Sequence, residues 1–345
     1  MSNEGGSKRK KISVEGECSF GTLGKGKKTY LFLSGLKVQE AFRLRSGVEL
    51  LPIRNRRRFR TVVLSDPNIY NRAFYVLLEN NIRSQLVIRS TDPKSEAINA
   101  WNAQWDAILL GALFNCEIIA NIQSDRSFDR VVESAEMHLT NPFMHGNALP
   151  PYLLKSQDVD WLKKYYCKAH ALLGDATNVY SVAVHAMATY RWHTLPRVQL
   201  AILWSGIEAL FVDVKAELSF RLAMCIALFL SGEDKKRAVQ MYDEVRALYK
   251  DRSSAVHGSE LKTKKKNPVS ESAQLLLKLI RKCAETGALP KEKELLFGAD
   301  KVCQQGQVCI ASRGKVKKLC TEVKAGASAD VSIRALRGSG GLKSP

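Results

Sequence analysis

Several common signatures are missing from this chain. Its eight cysteines, at positions 18, 116, 167, 225, 283, 303, 309 and 320, include no CxxC pair and none closely matched to a histidine. A zinc ribbon or knuckle needs two close ligand pairs, so no metal site is expected, and nothing in the sequence asks for an organic cofactor. Cys116, Cys167, Cys225 and Cys283 fall in apolar, helical-looking stretches, where a free cysteine acts as a small hydrophobe. The opening MSNEGGSKRKK has no apolar segment of the kind that directs secretion. Long apolar runs are lacking too: 107–120 is interrupted by Glu117 and 218–230 by Arg221, and both are too short to span a bilayer. These absences predict a reduced, cytoplasmic protein with no membrane partner.

An intact phosphate loop is also missing. GTLGKGKKT (21–29) has Gly21, Gly26 and Lys27 in place, but Lys28 stands where the Mg²⁺-binding Ser or Thr belongs. A phosphate loop opens a helix, and this run leads into a strand-like text, so a nucleotide-handling enzyme is disfavoured.

What the chain has in excess is positive charge. Lys and Arg total 53 against 34 Asp and Glu, a formal net charge of +19 in 345 residues. Residues 1–60 carry a net +10 and residues 261–345 a net +11, while 61–260 carry −2. A near-neutral body between basic ends has two readings. The ends are solvated tails that keep the chain soluble, or they are arms that grip phosphates, with RNA the expected anionic partner.

The hydrophobic pattern divides the chain. Residues 1–17 are polar and basic and read as a disordered tail. Residues 18–150 read as a smaller mixed α/β domain. TYLFLSGLKV is strand-like, AFRLR and VELLPI flank a Ser46-Gly47 turn as a hairpin, and 60–65 and 84–90 are further strand candidates. A helical piece covers NRAFYVLLENN, and 99–123 has apolar residues at helical spacing. The stretch 124–155 is proline-interrupted and reads as a joint. Residues 156–287 then read as six consecutive helices, an all-α bundle. Asp175 is the expected cap of the second, Pro196 starts the third, and Gly258 caps the fifth. Residues 301–345 show no sustained periodicity and read as a low-order basic tail. The expected class is therefore α+β.

Two basic clusters stand out. Arg54, Arg56, Arg57, Arg58 and Arg60 surround Phe59, and Lys262, Lys264, Lys265 and Lys266 follow the fifth helix. Each is either an exposed, solvated loop or a contact for RNA phosphates and bases. On that fifth helix Tyr242, Val245, Tyr249, Arg252 and Val256 share one face, so Arg252 sits on a packed stripe where a lone charge is costly. Glu208 also faces inward, between Trp204 and Phe211, and Arg221 lies in a helix that is apolar nearly all round. The three charges read either as a structural ion-pair network or as a polar pocket for a phosphate. His257 follows Arg252 by five residues, about 140° around an ideal helix, so the two cooperate only through a distorted helix end or across a dimer.

The segments Trp204-Ser-Gly-Ile-Glu208-Ala-Leu, Glu217-Leu-Ser-Phe-Arg221-Leu-Ala and Leu248-Tyr249-Lys-Asp-Arg252-Ser253-Ser-Ala-Val-His257-Gly258 resemble the Apea-like branch of the HEPN superfamily, including its R-x4-H hallmark. The resemblance covers roughly 156–287. It implies a metal-independent endoribonuclease whose composite cleft forms in a homodimer, in a bacterial defence or toxin–antitoxin setting with a matching partner. Arg252 would hold the scissile phosphate and His257 would move a proton during attack of the 2′-hydroxyl, with Glu208, Tyr249, Ser253 and Arg221 in support. Active members commonly carry Asn, Asp or His after the Arg; here Ser253 stands there, polar but neither an amide nor a second base. The alternative is a non-catalytic RNA- or protein-binding module that keeps the fold for dimerisation, with Arg252 paired to Glu208. The other histidines, among them His138, His145, His170, His185 and His193, are expected to be scattered core or surface residues.

Overall fold

The computed structural model describes residues 28–54, 69–90, 93–131, 135, 137–139, 149–174, 178–211, 213–214, 218–256 and 267–297. The first described strand lies at the end of the failed phosphate loop. Lys28–Ser34 (β1) is a strand with Leu31 and Leu33 on one face and Phe32 on the other. Leu36–Lys37 (β2) follows, then the hairpin of Phe42–Arg45 (β3) and Val48–Pro52 (β4) around the expected Ser46-Gly47 turn. Gly47 is required there. Its φ is +74°, and a Cβ would lie 2.7 Å from the carbonyl oxygen of Arg89. Helix α1 (Ile69–Glu79) leads to Ile82–Arg89 (β5), which pairs antiparallel with both β1 and β4.

Helix α2 (Pro93–Phe114) ends at Asn115, whose φ of 49° turns the chain out of the helix. Ile119–Ser124 is then a strand (β6) paired with β1, not the last turns of the helix expected over 99–123. The reason is burial: all six residues of β6 are covered, so the sheet erases the alternation that marks a half-exposed strand. Met137–Leu139 (β7) closes an antiparallel sheet of order β3-β4-β5-β1-β6-β7, and Tyr152–Leu153 (β8) pairs parallel with β2. The stretch 124–155, expected to be irregular, thus contributes two short strands.

The helical half is α3 (Ser156–Leu172), α4 (Val179–Thr189), α5 (Pro196–Leu210), α6 (Leu218–Ser231), α7 (Lys235–Val256) and α8 (Pro268–Thr286), followed by the short α9 (Glu292–Phe297). Punctuation matches the local chemistry. Asn178 caps α4 by accepting from the Tyr180 N–H, Asn267 caps α8 by accepting from that of Ser270, and Gly287 ends α8 at φ 71°. Asp175, the cap expected for α4, lies outside the described residues, as do strand candidate 60–65 and Gly258. The architecture is α+β, strands first and helices after.

The chain divides into units Met1–Leu296 and Phe297–Pro345. Within the first, α1 covers one face of the sheet through Tyr75 and Leu78 against Phe32, Ile82 and Ile122. Helix α2 covers the other face and also packs on α4 and α8. One apolar cluster therefore runs from Leu31 in the sheet through Leu109 and Leu113 to Leu276 and Cys283 in the bundle, rather than as two cores joined near 124–155. No helix among the described residues is long and apolar enough to cross a membrane.

The bundle is tightest at Gly206 of α5. A Cβ there would meet Ala186 Cβ at 2.8 Å, Leu276 Cδ2 at 3.2 Å and Ala183 Cα at 3.3 Å. Alanine gains about 1 kcal/mol of helix propensity over glycine, but a backbone atom and a methyl fixed to it cannot move aside. Gly206→Ala is expected to destabilise by about 1–2 kcal/mol net. Urea unfolding should show a lower midpoint at unchanged m; a midpoint at or above wild type would show that α4 can slide away.

Candidate active site around Arg252

The α7 stripe read from sequence is a packed face that opens toward its C-terminal end. Val245 is buried, Tyr242, Tyr249 and Arg252 are half-buried, and Val256 is exposed. Arg252 is held by one ring of its own helix and one carboxylate of α5. Its guanidinium lies over the Tyr249 ring, 5.7 Å from the centroid. That ring meets Trp204 of α5 edge to face at 5.3 Å and 83°. Trp204 is fully buried, and its indole N–H donates to Ser272 Oγ on α8 at 3.1 Å. The aromatic pair is a platform anchored in the core, and such contacts favour a cation held over the ring face.

Glu208, one turn beyond Trp204, supplies the counter-charge. Arg252 Nη2 donates to Glu208 Oε2 at 3.2 Å and lies 3.1 Å from Oε1, which is outside hydrogen-bonding geometry. The Nε–H of Arg252 has no hydrogen-bond partner among the described residues. The pair is thus held through one guanidinium nitrogen, short of the two-point fork that Arg forms with a carboxylate at full strength. The side chains are 24% and 29% exposed, so a ligand can reach them. Burial raises the Glu208 carboxyl above its ordinary value, and Arg252 pulls it back only in part. This single contact is also the geometry that the non-catalytic alternative requires.

Arg197 was not singled out from the sequence. It sits in the first turn of α5, and its Nη1 donates to the carbonyls of Ala255 at 3.0 Å and Ser254 at 3.3 Å. A guanidinium on the last carbonyls of α7 satisfies acceptors that the helix leaves open and complements its dipole. The helix end that leads to His257 is therefore pinned two residues before it. No pattern in the neighbouring sequence marks this role, because α5 and α7 meet only in the folded chain.

The other candidates distribute as follows. Ser253 is half-buried on α7, next to Arg252. Arg221 does not join the Arg252–Glu208 pair; its Nε donates to Glu292 Oε1 at 2.7 Å, tying α6 to α9. Arg54 is exposed, and its backbone N–H donates to Asp129 at 3.2 Å. His257, Lys262, Lys264, Lys265, Lys266, Arg56, Arg57 and Arg58 lie outside the described residues. Cys116, Cys225 and Cys283 are buried as expected, whereas Cys167 is exposed. His170 is not isolated, since its Nε2 lies 3.8 Å from the buried Asp106 carboxylate. Among the described residues no cluster of His, Cys, Asp or Glu is arranged to hold a metal ion.

The same helix borders a groove of about 320 Å³ against α8, floored by Met241, Val245, Leu248 and Leu275 with Asp251 and Glu271 at its rim. Arg252 is not in its lining, although Val245 of the same α7 stripe is. No protein-family model, curated protein or solved structure matches the chain.

Proposed function

We propose that the protein is an endoribonuclease of the HEPN type that needs no metal ion, acting in the cytoplasm as a homodimer. The observation that carries this reading is Arg252, a part-exposed cation on a core-anchored aromatic platform, one turn from the helix end that leads to His257. Arg252 offers a planar set of donors to a scissile phosphate, and the imidazole of His257 is the group that can move the proton of the 2′-hydroxyl or of the leaving 5′-oxygen. Attack by an internal hydroxyl needs no metal-bound water, and DNA lacks that nucleophile. Glu208 holds Arg252 in place before substrate arrives, and Tyr249 supports its guanidinium from below. The lysines at 262 and 264–266 would lead RNA toward the cleft. A bacterial defence or toxin–antitoxin role, with an antitoxin-like partner, follows from the family resemblance alone.

A second reading is favoured by the Arg252–Glu208 contact itself. A guanidinium already facing a carboxylate fits a module that binds RNA or protein and uses the fold to dimerise. The two readings separate in one assay. Wild type incubated with single-stranded RNA in EDTA should yield fragments ending in 2′,3′-cyclic phosphate, and His257→Ala should yield none. Intact RNA with wild type over the whole accessible pH range, with salt-sensitive binding retained, would select the second reading. Light scattering that shows only monomer at micromolar concentration would count against the composite cleft.

A further inference from the structure

A different surface, on α3 and α8, carries aromatic rings and cations in alternation. Trp161, Lys164, Tyr165 and Lys168 recur at i, i+3, i+4 and i+7, a single stripe of α3. The Trp161 and Tyr165 rings are 5.3 Å apart. Lys164 Nζ and Lys168 Nζ both converge on the Tyr165 ring, at 5.1 and 5.9 Å from its centroid. From α8, the Arg281 guanidinium lies over Trp161 at 4.4 Å and reaches Phe114 at 5.7 Å.

Among the described residues neither Lys164, Lys168 nor Arg281 forms an ion pair. The nearby Glu285 carboxylate is engaged by the Trp161 N–H at 3.0 Å, and Lys168 reaches only the Glu285 backbone carbonyl, at 3.4 Å. Three like charges around two rings, with the single Glu285 carboxylate among them held by the Trp161 N–H, repel one another and gain from an external anion. Arg281 lies over the Trp161 ring at 4.4 Å and makes no side-chain hydrogen bond among the described residues, which leaves its N–H groups for phosphate oxygens.

We infer that this stripe binds single-stranded nucleic acid. Phosphates pair with Lys164, Lys168 and Arg281, and bases stack on the part-exposed Trp161 and Tyr165. Cations alone would serve an acidic peptide as well; interleaving with aromatic rings is what matches a strand of phosphates and bases. The surface is separate from Arg252. Ser272, which anchors the Trp204 platform, and Arg281 are nine residues apart on α8, about 180° around the helix and about 14 Å along it. The inference rests on RNA as the ligand of the proposed function, but not on cleavage.

The test is fluorescence anisotropy with a labelled 2′-O-methyl oligouridine, which presents phosphates and bases but cannot be cut by 2′-hydroxyl attack. Lys164→Ala/Lys168→Ala changes two exposed side chains and should weaken binding at least about tenfold. It should also flatten the slope of log affinity against log salt by about 1.4, the share of two phosphate contacts on a single strand. Trp161→Leu, which keeps apolar packing, should weaken binding with the salt slope unchanged. Unchanged affinity and slope in the double variant would overturn the inference, whether or not the protein cuts RNA. So would Trp161→Leu binding as wild type while polyglutamate competes as well as RNA at equal charge, which would make the stripe a general polyanion surface. Loss of cleavage alone leaves this site standing, because the readout is binding of an oligonucleotide that cannot be cut.

Discussion

Arg252→Ala will lose RNA cleavage by on the order of 10²–10³-fold or more, as expected for removal of a donor aimed at developing phosphate charge, and will also lose stability at neutral pH. Adding Glu208→Gln will restore the stability and not the cleavage. The stability effect follows from what Arg252 leaves behind. Burial already raises the Glu208 carboxyl above its ordinary 4.5, and Arg252 is the group that lowers it. A carboxyl raised in the folded state holds its proton more tightly there than in the unfolded chain. Its contribution is therefore fully present below the ordinary value and is lost as pH rises through the folded value. Without Arg252 the folded value climbs further and the loss at neutral pH deepens, by about 1 kcal/mol for a pair this exposed to solvent. The deficit should shrink as pH is lowered to the ordinary carboxylate value, and it should vanish with glutamine, which has no charge to bury. Unfolding midpoints for the two variants at both pH values, beside cleavage rates, test each half. An Arg252→Ala protein that cuts as wild type would reduce the pair to a structural contact. A deficit that does not change with pH would place the loss in packing against Tyr249 instead.

Sequence reasoning reached this pair because both partners lie on long amphipathic helices, where simple periodicity assigns a face: Trp204 and Glu208 on α5, Tyr249 and Arg252 on α7. The same arithmetic assigned Arg221 inward but could not name its partner, because Glu292 sits on a one-and-a-half-turn helix beyond the expected end of the bundle. Strand β6 was read as helix for a related reason. Its neighbours on both faces of the sheet bury every residue, polar Asn121, Gln123 and Ser124 included, so exposure leaves no period of two to read. Arg197 and Asp106 carried no local signal, since their partners are far away in sequence. The aromatic–cation stripe was legible in part, as WLKKYYCK has the spacing, but Arg281 arrives from another helix and only the fold places it on Trp161.

Asp106→Asn will be the most destabilising of the isosteric changes considered, lowering the melting temperature by on the order of 10 °C. Asp106, on α2, is wholly buried, and two elements converge on it. Arg45 of β3 donates from Nε at 2.9 Å and from Nη2 at 2.7 Å, and Tyr166 of α3 donates its hydroxyl at 2.6 Å. His170 of α3 stands 3.8 Å away, its own value lowered mainly by burial. Burial also pulls the Arg45 guanidinium down, yet hydrogen bonding and attraction to Asp106 outweigh it and leave the group raised. An asparagine keeps the volume and can still accept from Tyr166. Its NH₂, however, must face a guanidinium that has only donors, and the half-buried cation loses its counter-charge, a loss of about 3 kcal/mol. Tyr166→Phe removes a single neutral donor and should lose less, about 1–3 kcal/mol. The decisive comparison is Asp106→Asn/Arg45→Met, in which no charge is left unpaired. It should recover a large part of the loss, because the penalty lies in the stranded guanidinium and not in the missing bond. If the double variant melts no higher than Asp106→Asn, the carboxylate stabilises chiefly through Tyr166 and α3, and the link to the sheet through Arg45 is secondary.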